Sequence, residues 1–444
     1  MKLSKYNYYT RNDNQELLLF NTLNGTKSFL KVSRENASAA EAFLSGKGEG
    51  SGLSSSLYDE LVKWGYVIPE ELDEDVLLRK IYVDSISDPR LQITILPTEQ
   101  CNFRCKYCYE SFPDKVMSEE TQNALLLFLK KNLGKYSALH ISWFGGEPLL
   151  ALDIIEHLSE KIKEICAFYR KPYTASMTTN GFLLDADTFK RLLKCNVVYY
   201  QITVDGTKDI HDVQRPHAHL AVSTYDRVIG NLKQIKSQVK NGMFRITIRS
   251  NFSKLHFGKI AEYKKTFADL LGDDKRFQFF VRPVMDWGGE SVCEFKDNLV
   301  DGSGLDAFYD ALMSCESKLD FAYDGLLDRA GSVCEAGKKN AFVIVPDGGV
   351  YKCTCHFEEP EARIGSLRSD GDLELDPYAA AGWLCDPSQC EAGCFYSPVC
   401  LKDSCPAVRV LKREKKSNCP LEKRSLAKIL QLLDRENEAF RRVD

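Results

Sequence analysis

Three cysteines in one short segment have the residue type and the spacing of iron ligands. They lie within Cys101–Cys108, spaced C-x3-C-x2-C, directly after the apolar, strand-like run Leu91–Leu96. Three thiolates can hold three irons of a [4Fe–4S] cube, which usually takes four cysteines, so the fourth iron stays open to a ligand that is not protein. A role as small core hydrophobes is disfavoured because the intervening side chains include Asn, Arg and Lys. A zinc site is disfavoured because it needs a fourth Cys or His nearby, and neither occurs again before His140.

The elements that must position this loop alternate between strand and helix. The strand-like runs are 92–96, 139–143, 174–178, 197–204, 244–250 and 276–281, and the helical runs are 118–133, 152–168, 186–194, 223–240 and 259–271. This alternation predicts an α/β fold with a parallel sheet, a partial (β/α)6 barrel. Chemistry in such barrels lies at the C-terminal ends of the strands. The cysteine loop, Gly145–Pro148, Asn180-Gly181 and Asp205-Gly206 all follow strands, so we expect them to converge in space.

Composition limits the class of protein. The 444 residues carry 59 Lys and Arg against 63 Asp and Glu, a formal net charge of −4. The length predicts two or three units, and the balanced charge favours neither nucleic acid nor a membrane surface as a partner. The sequence shows no signal-peptide pattern and no apolar run of membrane-spanning length. We therefore expect a cytoplasmic protein, in which the 16 cysteines serve as metal ligands or reduced thiols.

The cysteine loop, with Tyr107 before its last cysteine, resembles the signature of radical S-adenosylmethionine (SAM) enzymes. The resemblance implies a [4Fe–4S] cluster whose open iron binds the amino and carboxylate groups of SAM. It also implies reductive cleavage of SAM to a 5′-deoxyadenosyl radical that abstracts a substrate hydrogen, with flavodoxin or ferredoxin as external electron donor. The segment Gly145-Gly146-Glu147-Pro148 resembles the glycine-rich segment of the family that contacts the methionine amino group. Its glycines permit close backbone approach, and Glu147 offers an acceptor.

Three further residues are candidates for cofactor or substrate contact. Asn180, in Thr178–Gly181, and Asp205, before Gly206, match patterns of one branch of the superfamily, although Asn-Gly and Asp-Gly can also simply form turns. Arg249 ends the fifth strand and is a candidate to hold the carboxylate or ribose of the cofactor. His211 is expected to be a structural histidine.

The cysteines near the end of the chain carry a second resemblance. Cys334-x13-Gly348-x4-Cys353 is followed by C-x3-C-x5-C-x4-C from Cys390 to Cys405 and by Cys419. This resembles the SPASM extension of radical SAM enzymes, with two inner spacings one residue longer, and implies two auxiliary [4Fe–4S] clusters and three clusters in all. Two zinc ribbons are the alternative. Carried over by position, the ligands of the distal auxiliary cluster are Cys390, Cys394, Cys400 and Cys419. The ligands of the proximal auxiliary cluster are Cys334, Cys353 and Cys405. The fourth iron of the proximal cluster is bound by Cys355 or Cys385, or it is open.

The pattern of strands, turn and short helices in the first 85 residues predicts a winged helix-turn-helix domain. Runs 17–20 and 28–32 flank the turn residues Asn24-Gly25, and short helices are predicted over 39–44 and 57–64, before an acidic stretch at 70–75. The unit resembles the peptide-recognition element of maturases of ribosomally made peptides, which adds a leader peptide as a strand. DNA binding is disfavoured because no basic recognition helix is present.

These patterns divide the chain into five parts. They are 1–85, a peptide-recognition winged-helix domain; 86–300, the radical SAM partial barrel; 301–333, a bridging segment; 334–420, a cysteine-rich SPASM domain; and 421–444, a C-terminal helix.

Together the resemblances imply a maturase of a ribosomally synthesised precursor peptide, similar to the sactipeptide and ranthipeptide maturases that form thioethers. Sulfatase-maturing relatives usually carry Asp after the second proximal cysteine, as a base, whereas Cys353 is followed by Thr354. This disfavours sulfatase maturation and favours a cysteine thioether crosslink, with carbon–carbon or carbon–oxygen crosslinking or epimerisation as alternatives. The non-enzyme alternative is an iron–sulfur electron-transfer scaffold, which would need neither an open iron nor Gly145–Pro148.

Overall fold

The computed structural model describes residues 1–240, 242–389, 393–412 and 419–444. The chain forms two compact units. The first unit combines Met1–Ser87, Phe321–Lys338 and Leu384–Asp444, and the second combines Asp88–Asp320 and Lys339–Trp383. The cysteine-rich segment 334–420 therefore contributes residues to both units, and the five-part division stays a prediction. None of the described helices combines the length and the apolarity that crossing a membrane requires.

The second unit is built on a parallel sheet, as predicted. In its described residues six strands, called the first to sixth barrel strands, pair in parallel in chain order. They are Leu91–Ile95, Leu139–Trp143, Tyr173–Thr179, Val197–Thr203, Arg245–Phe252 and Phe277–Pro283. The α/β fold class is thereby confirmed. Alternate residues of the first, second and sixth strands are buried, which is the pattern of side chains that point to opposite faces of a sheet.

Strands from later in the chain extend this sheet beyond its first barrel strand. Ala341–Ile344 pairs in parallel with Leu91–Ile95. Three further strands follow in the sheet, and each is antiparallel to the strand before it. These neighbours are Gly349–Tyr351, Gly365–Leu367 and Leu373–Leu375. The sequence did not predict these strands because each has only three or four residues, too few for a clear alternation.

Six of the described helices of the second unit lie between successive barrel strands, and three follow the last barrel strand. They are Glu119–Asn132, Leu152–Tyr169, Ala186–Lys194, Lys208–Gln214, Thr224–Gln238, Ile260–Leu271, Glu290–Phe295, Gly302–Ser314 and Pro377–Gly382. Three of the predicted helices have a capping residue before their first turn. The side chains of Ser118, Asp185 and Ser223 each accept a hydrogen bond from a backbone N–H of that turn. The short helix Lys208–Gln214 was not predicted, since seven residues give little periodicity.

The described part of the first unit contains a four-stranded sheet, in the order Arg441–Val443, Leu30–Val32, Leu17–Asn21 and Asn7–Arg11. A small second sheet pairs Lys2–Leu3 with Val67–Ile68. The helices are Arg34–Leu44, Ser55–Lys63, Glu74–Ile86, Asp324–Leu327, Ser397–Cys400, Pro406–Val410, Leu421–Arg424 and Leu426–Glu436.

The predicted pair of strands near the start of the chain is confirmed. Leu17–Asn21 runs antiparallel to Leu30–Val32, and a 3-10 turn at Gly25–Ser28 joins them, with Gly25 at φ 65°. The acidic stretch forms the first turn of a helix, where the Asp73 side chain accepts a hydrogen bond from the backbone N–H of Asp75. The identity of this unit as a winged helix stays a prediction.

Candidate active site

The cysteine loop leaves the first barrel strand and is anchored through its main chain. Backbone groups of Asn102, Arg104 and Lys106 form hydrogen bonds of 2.7–2.9 Å with the segment 214–218. The loop is therefore tied to the chain that follows the fourth barrel strand without using the cysteine side chains.

The three thiols are close enough to influence one another. Burial raises the pKa of Cys101, Cys105 and Cys108, and the charge of neighbouring thiolates raises it further at Cys101 and Cys108. Without a cation these thiols stay protonated, so the site favours a positively charged metal group that would stabilise thiolates. No three His, Cys, Asp or Glu side chains of the described residues converge on a single metal ion.

The glycine-rich segment lies directly against the chain that leads into the cysteine loop. Gly145 has φ 120°, and a Cβ on it would lie 2.2 Å from the carbonyl oxygen of Thr98. A Cβ on Gly146 would lie 2.3 Å from the carbonyl oxygen of Gln100, to which Glu147 N–H donates at 2.8 Å. Only glycine permits this approach of two backbones, so the structure brings Gly145–Glu147 to the cysteine loop.

The Glu147 carboxylate is buried and is bound by the protein itself. Its Oε1 accepts from Leu149 N–H at 3.0 Å and from the Thr179 hydroxyl at 2.8 Å, and its Oε2 accepts from Asn180 N–H at 2.7 Å. Burial raises the pKa of Glu147, and these hydrogen bonds oppose the rise. The Asn180 side chain in turn donates to Asn102 Oδ1 at 2.7 Å. Glu147 and Asn180 therefore connect the ends of the second and third barrel strands to the cysteine loop.

Substituting Glu147→Gln should destabilise the protein by about 1–3 kcal/mol, because an amide has one acceptor oxygen where the carboxylate has two, leaving a buried donor unpaired. Urea unfolding of the metal-free protein measures this change. The matched control is Glu160→Gln, an exposed position on the next helix, for which no change is expected. Equal stability of the two variants would contradict the positioning role of Glu147.

A buried network surrounds the Tyr107 hydroxyl. This hydroxyl donates to the Asp205 carboxylate and accepts from Arg215 Nη1 at 2.7 Å and from Asn251 Nδ2 at 3.1 Å. Asp205 Oδ1 also accepts from Asn251 N–H at 2.8 Å. Burial raises the pKa of Tyr107 well above its usual value, so the phenol keeps its proton and remains a donor. The structure thus joins Tyr107 to Asp205, and Arg249 joins the same network by donating from Nε to Asn251 Oδ1 at 2.9 Å.

His211 is buried on the far side of Asp205. Its Nδ1 accepts a hydrogen bond from Asp205 N–H at 3.1 Å, so this nitrogen carries no proton. Burial, and after it the nearby charge of Arg215, lowers the pKa of His211 well below 6.5. The neutral imidazole is part of the scaffold of the network, in keeping with the structural role expected for it.

This histidine should make stability depend on pH. Below about pH 6.5 the imidazole takes up a proton in the unfolded chain but not in the folded one, so acid favours unfolding. The wild type should therefore lose about 1.4 kcal/mol more than His211→Gln for each pH unit below 6.5. Urea unfolding between pH 7.5 and 5.5 measures the two slopes. His157→Gln, on an exposed helix position, should retain the wild-type slope. Parallel slopes for wild type and His211→Gln would contradict the assignment.

Two cysteines of the later segment lie beside the cysteine loop within the same unit. Cys353 and Cys355 follow the strand Gly349–Tyr351, and Cys355 N–H donates to Cys353 Sγ at 3.4 Å. A hydrogen bond with the Cys353 thiol lowers the pKa of Cys355 to about 7, and a hydrogen bond with Tyr109 contributes. Because Tyr109 directly follows Cys108, these thiols adjoin the predicted SAM site.

The other late cysteines of the described residues belong to the first unit. Burial lowers the pKa of Lys423, but hydrogen bonds with Cys394 and Cys419 raise it above its usual value. The Nζ atom of Lys423 lies 3.6 Å from Cys419 Sγ. The structure thus brings together two predicted distal ligands. Cys334, Cys400 and Cys405 are in the same unit, whereas Cys390 lies outside the described residues.

Cys385 has a different environment from these ligands. It packs in an apolar cluster with Val333 and Leu401, and burial raises its pKa to about 12. Its thiol donates to the carbonyl oxygens of Leu401 and Asp403, each at 3.9 Å. Apolar neighbours and two carbonyl acceptors are the surroundings of a structural thiol, and the choice of Cys355 or Cys385 as a fourth ligand stays a prediction.

Glu110 is a buried acidic residue beside the cysteine loop that no sequence motif marks. Burial raises the pKa of this carboxyl group to about 8, and the charges of Glu358 and Cys355 add to the effect. Its Oε2 is buried and has no hydrogen-bond partner among the described residues. Its position two residues after Cys108 is the sequence signal that could have drawn attention to it.

Comparison with known proteins agrees with this geometry. Residues 95–263 match the Radical SAM superfamily, which implies one [4Fe–4S] cluster and SAM. A cysteine-type anaerobic sulfatase-maturating enzyme of Clostridium novyi is 26% identical over 315 residues, covering 64% of this chain and 79% of that protein. A GTP 3′,8-cyclase of Helicobacter pylori is 31% identical over 164 residues, 36% of this chain and 47% of that protein. The chain thus spans about half the length of this second relative.

A solved structure has the same fold over most of the chain. Native anSMEcpe with bound AdoMet and Kp18Cys peptide gives a TM-score of 0.58 at 18% identity, covering 78% of this chain and 97% of that chain. The cysteine loop, the adjoining glycines and the matched region agree with one another. Residues 95–263 therefore match the Radical SAM superfamily in sequence, and the geometry of the cysteine loop and the adjoining glycines is consistent with that match.

Proposed function

We propose that this protein is a radical SAM maturase that modifies a ribosomally synthesised precursor peptide and forms a thioether between a peptide cysteine and a carbon of an acceptor residue. The observation that carries the proposal is the meeting of the Cys101–Cys108 loop with Gly145–Glu147 and with the Tyr107–Asp205 pair. A peptide substrate is supported by the similarity to a sulfatase-maturating enzyme and by the fold shared with a structure that holds a peptide.

In this proposal Cys101, Cys105 and Cys108 would hold a [4Fe–4S] cluster, which would supply the electron for reductive cleavage of SAM to a 5′-deoxyadenosyl radical. Because Gly145 and Gly146 carry no side chains, their backbone packs directly on that of Thr98 and Gln100, which would hold this segment beside the cofactor. Glu147 and Asn180 hold the loop in place through buried hydrogen bonds. An external donor such as flavodoxin or ferredoxin provides the electron, and the cytoplasm is the proposed location.

The choice of a thioether is supported by the thiols next to the loop. Thr354 occupies the position where sulfatase-maturing relatives usually carry an aspartate base. Instead, Cys355 hydrogen-bonds with Cys353 and with Tyr109. In the proposal Cys334, Cys353 and Cys405 contribute to a proximal auxiliary cluster, and Cys390, Cys394, Cys400 and Cys419 to a distal one. A substrate thiolate held near such a cluster can combine with a carbon radical. Carbon–carbon or carbon–oxygen crosslinking is the alternative product chemistry.

The first test is a search for 5′-deoxyadenosine after anaerobic incubation of the reconstituted protein with dithionite and SAM. We expect it to form even without a peptide, because SAM cleavage needs only the radical SAM domain. A protein that binds iron but forms no 5′-deoxyadenosine would be an electron-transfer scaffold, and the proposed function would be wrong.

A further inference from the structure

The sheet of the first unit has one edge filled by a distant part of the same chain. Leu30–Val32 pairs with Leu17–Asn21 on one side and with Arg441–Val443 on the other. The second pairing is parallel, with Arg441 opposite Leu30 and Val443 opposite Val32. An open strand edge is a template on which an extended peptide can add as a further strand. Here residues 440–443 already occupy that position, as a bound peptide would.

Three of the four side chains of residues 440–443 are anchored. The Phe440 ring stacks on Phe29 with centroids 4.5 Å apart and planes 8° from parallel. The Arg441 guanidinium lies 4.1 Å above the Trp64 ring, and Val443 is 9% exposed within the apolar core of the unit. An aromatic stack, a cation–π contact and a buried β-branched side chain are three separate sites of recognition.

The remaining position faces solvent. The side chain of Arg442 is 75% exposed, and its nearest acidic partner is Glu16 at 3.4 Å. The main chain contributes as well, because Arg441 N–H donates to the Phe29 carbonyl oxygen at 3.2 Å. Backbone pairing with pockets for some side chains and not for others is how sheet edges bind peptides.

The strand reaches the sheet through a strained turn and is short. Helix Leu426–Glu436 ends just before Glu438, which has φ 51°, a left-handed conformation that costs a non-glycine residue about 1–2 kcal/mol. Only Arg441–Val443 pairs with Leu30–Val32. A segment with so few paired residues can leave its position without unfolding the unit.

We propose that residues 440–443 are a built-in occupant of a peptide-binding edge, which a partner peptide takes by displacing them. The partner adds as a strand parallel to Leu30–Val32 and presents an aromatic residue, a basic residue, any residue and a β-branched residue, in that order. This inference rests on the proposed function, in which the first unit recognises a precursor peptide. The attached strand competes at an effective concentration in the millimolar range, so only a matching peptide displaces it.

The probe is a fluorescein-labelled hexapeptide, Ala-Phe-Arg-Arg-Val-Asp, which has the sequence of residues 439–444. Its binding to the full chain is measured by fluorescence anisotropy. The variant Phe440→Ala with Val443→Asp weakens the attached strand but leaves its acceptor edge intact, so it should bind the probe at least 10-fold more tightly than the wild type. A hexapeptide with Asp in place of Val should bind neither protein. Val83→Asp, at an exposed helix position of the same unit, should behave as the wild type.

Substitutions are preferable to deleting residues 1–85, because Val443 shares an apolar core with Leu17 and Leu30. Circular dichroism and iron content show whether the double variant is folded. If it is folded and does not bind the probe, or binds it no better than the wild type, the inference is wrong. If it does not fold, Arg441→Ala removes only the Trp64 contact and should tighten probe binding about 3-fold or more. Affinity equal to that of the wild type would then overturn the inference. SAM cleavage without peptide tests the proposed function separately.

Discussion

Replacing Cys101, Cys105 and Cys108 together by alanine should abolish 5′-deoxyadenosine formation while leaving iron elsewhere in the protein. The reason is that SAM must bind an open iron, and this loop has the three-ligand spacing that leaves one open. The three thiols share one anchored loop beside Gly145–Glu147. The assay is product analysis after anaerobic incubation with dithionite and SAM. The matched control is Cys293→Ala, an exposed cysteine of the same unit, which should retain full activity.

Iron analysis gives this variant a second readout. Three cubes of four irons give about twelve irons per chain, and loss of the radical SAM cluster should leave about eight. SAM cleavage that persists in the triple variant would contradict the ligand assignment. An iron content of about four per chain in the wild type would match the radical SAM cluster alone. The two auxiliary clusters of the proposed function would then be wrong.

The second large effect concerns the product. Turnover should yield a precursor peptide two hydrogens lighter, with one cysteine that iodoacetamide no longer alkylates. One hydrogen atom leaves the acceptor carbon and ends on 5′-deoxyadenosine. The thiol would lose its proton to solvent, the C–S bond would form, and the proposed auxiliary cluster would take up the remaining electron. Tandem mass spectrometry of the peptide encoded beside this gene, before and after alkylation, locates the bond.

The control for this experiment is the same peptide with its cysteine replaced by serine, which should return unmodified. A loss of two hydrogens with every cysteine still alkylated would exclude the thioether and indicate a carbon–carbon or carbon–oxygen crosslink. An unchanged mass in water, with deuterium gained from deuterated solvent, would indicate epimerisation instead.

The parts of the site that depend on strand order could be predicted from the sequence. Successive parallel strands end at the same edge of a sheet, so the cysteine loop, Gly145–Glu147 and Asn180 had to meet once the alternation of strand and helix was recognised. The Tyr107–Asp205 contact follows in the same way from the fourth barrel strand. These predictions needed only the period of the apolar residues and the position of each motif relative to its strand.

The rest depends on packing that leaves no local pattern. Arg215 reaches Tyr107 because the segment 214–218 is hydrogen-bonded to the cysteine loop, and nothing near Arg215 in the sequence indicates that pairing. Cys385 is a cysteine and was therefore a candidate metal ligand. Its apolar neighbours come from distant parts of the chain, so the sequence around it does not indicate its apolar environment. Arg441–Val443 is too short to show a strand period, and its partner lies about 400 residues earlier.

The strand Ala341–Ile344 has a consequence for electron transfer. It is hydrogen-bonded on one side to Leu91–Ile95, the strand before Cys101, and on the other side to Gly349–Tyr351, the strand before Cys353. The segments that carry the two groups of thiols therefore start from neighbouring parts of one β-sheet. If Cys353 holds an auxiliary cluster, as proposed, the pairing of these strands would help to fix the distance that an electron crosses between that cluster and the one at Cys101–Cys108.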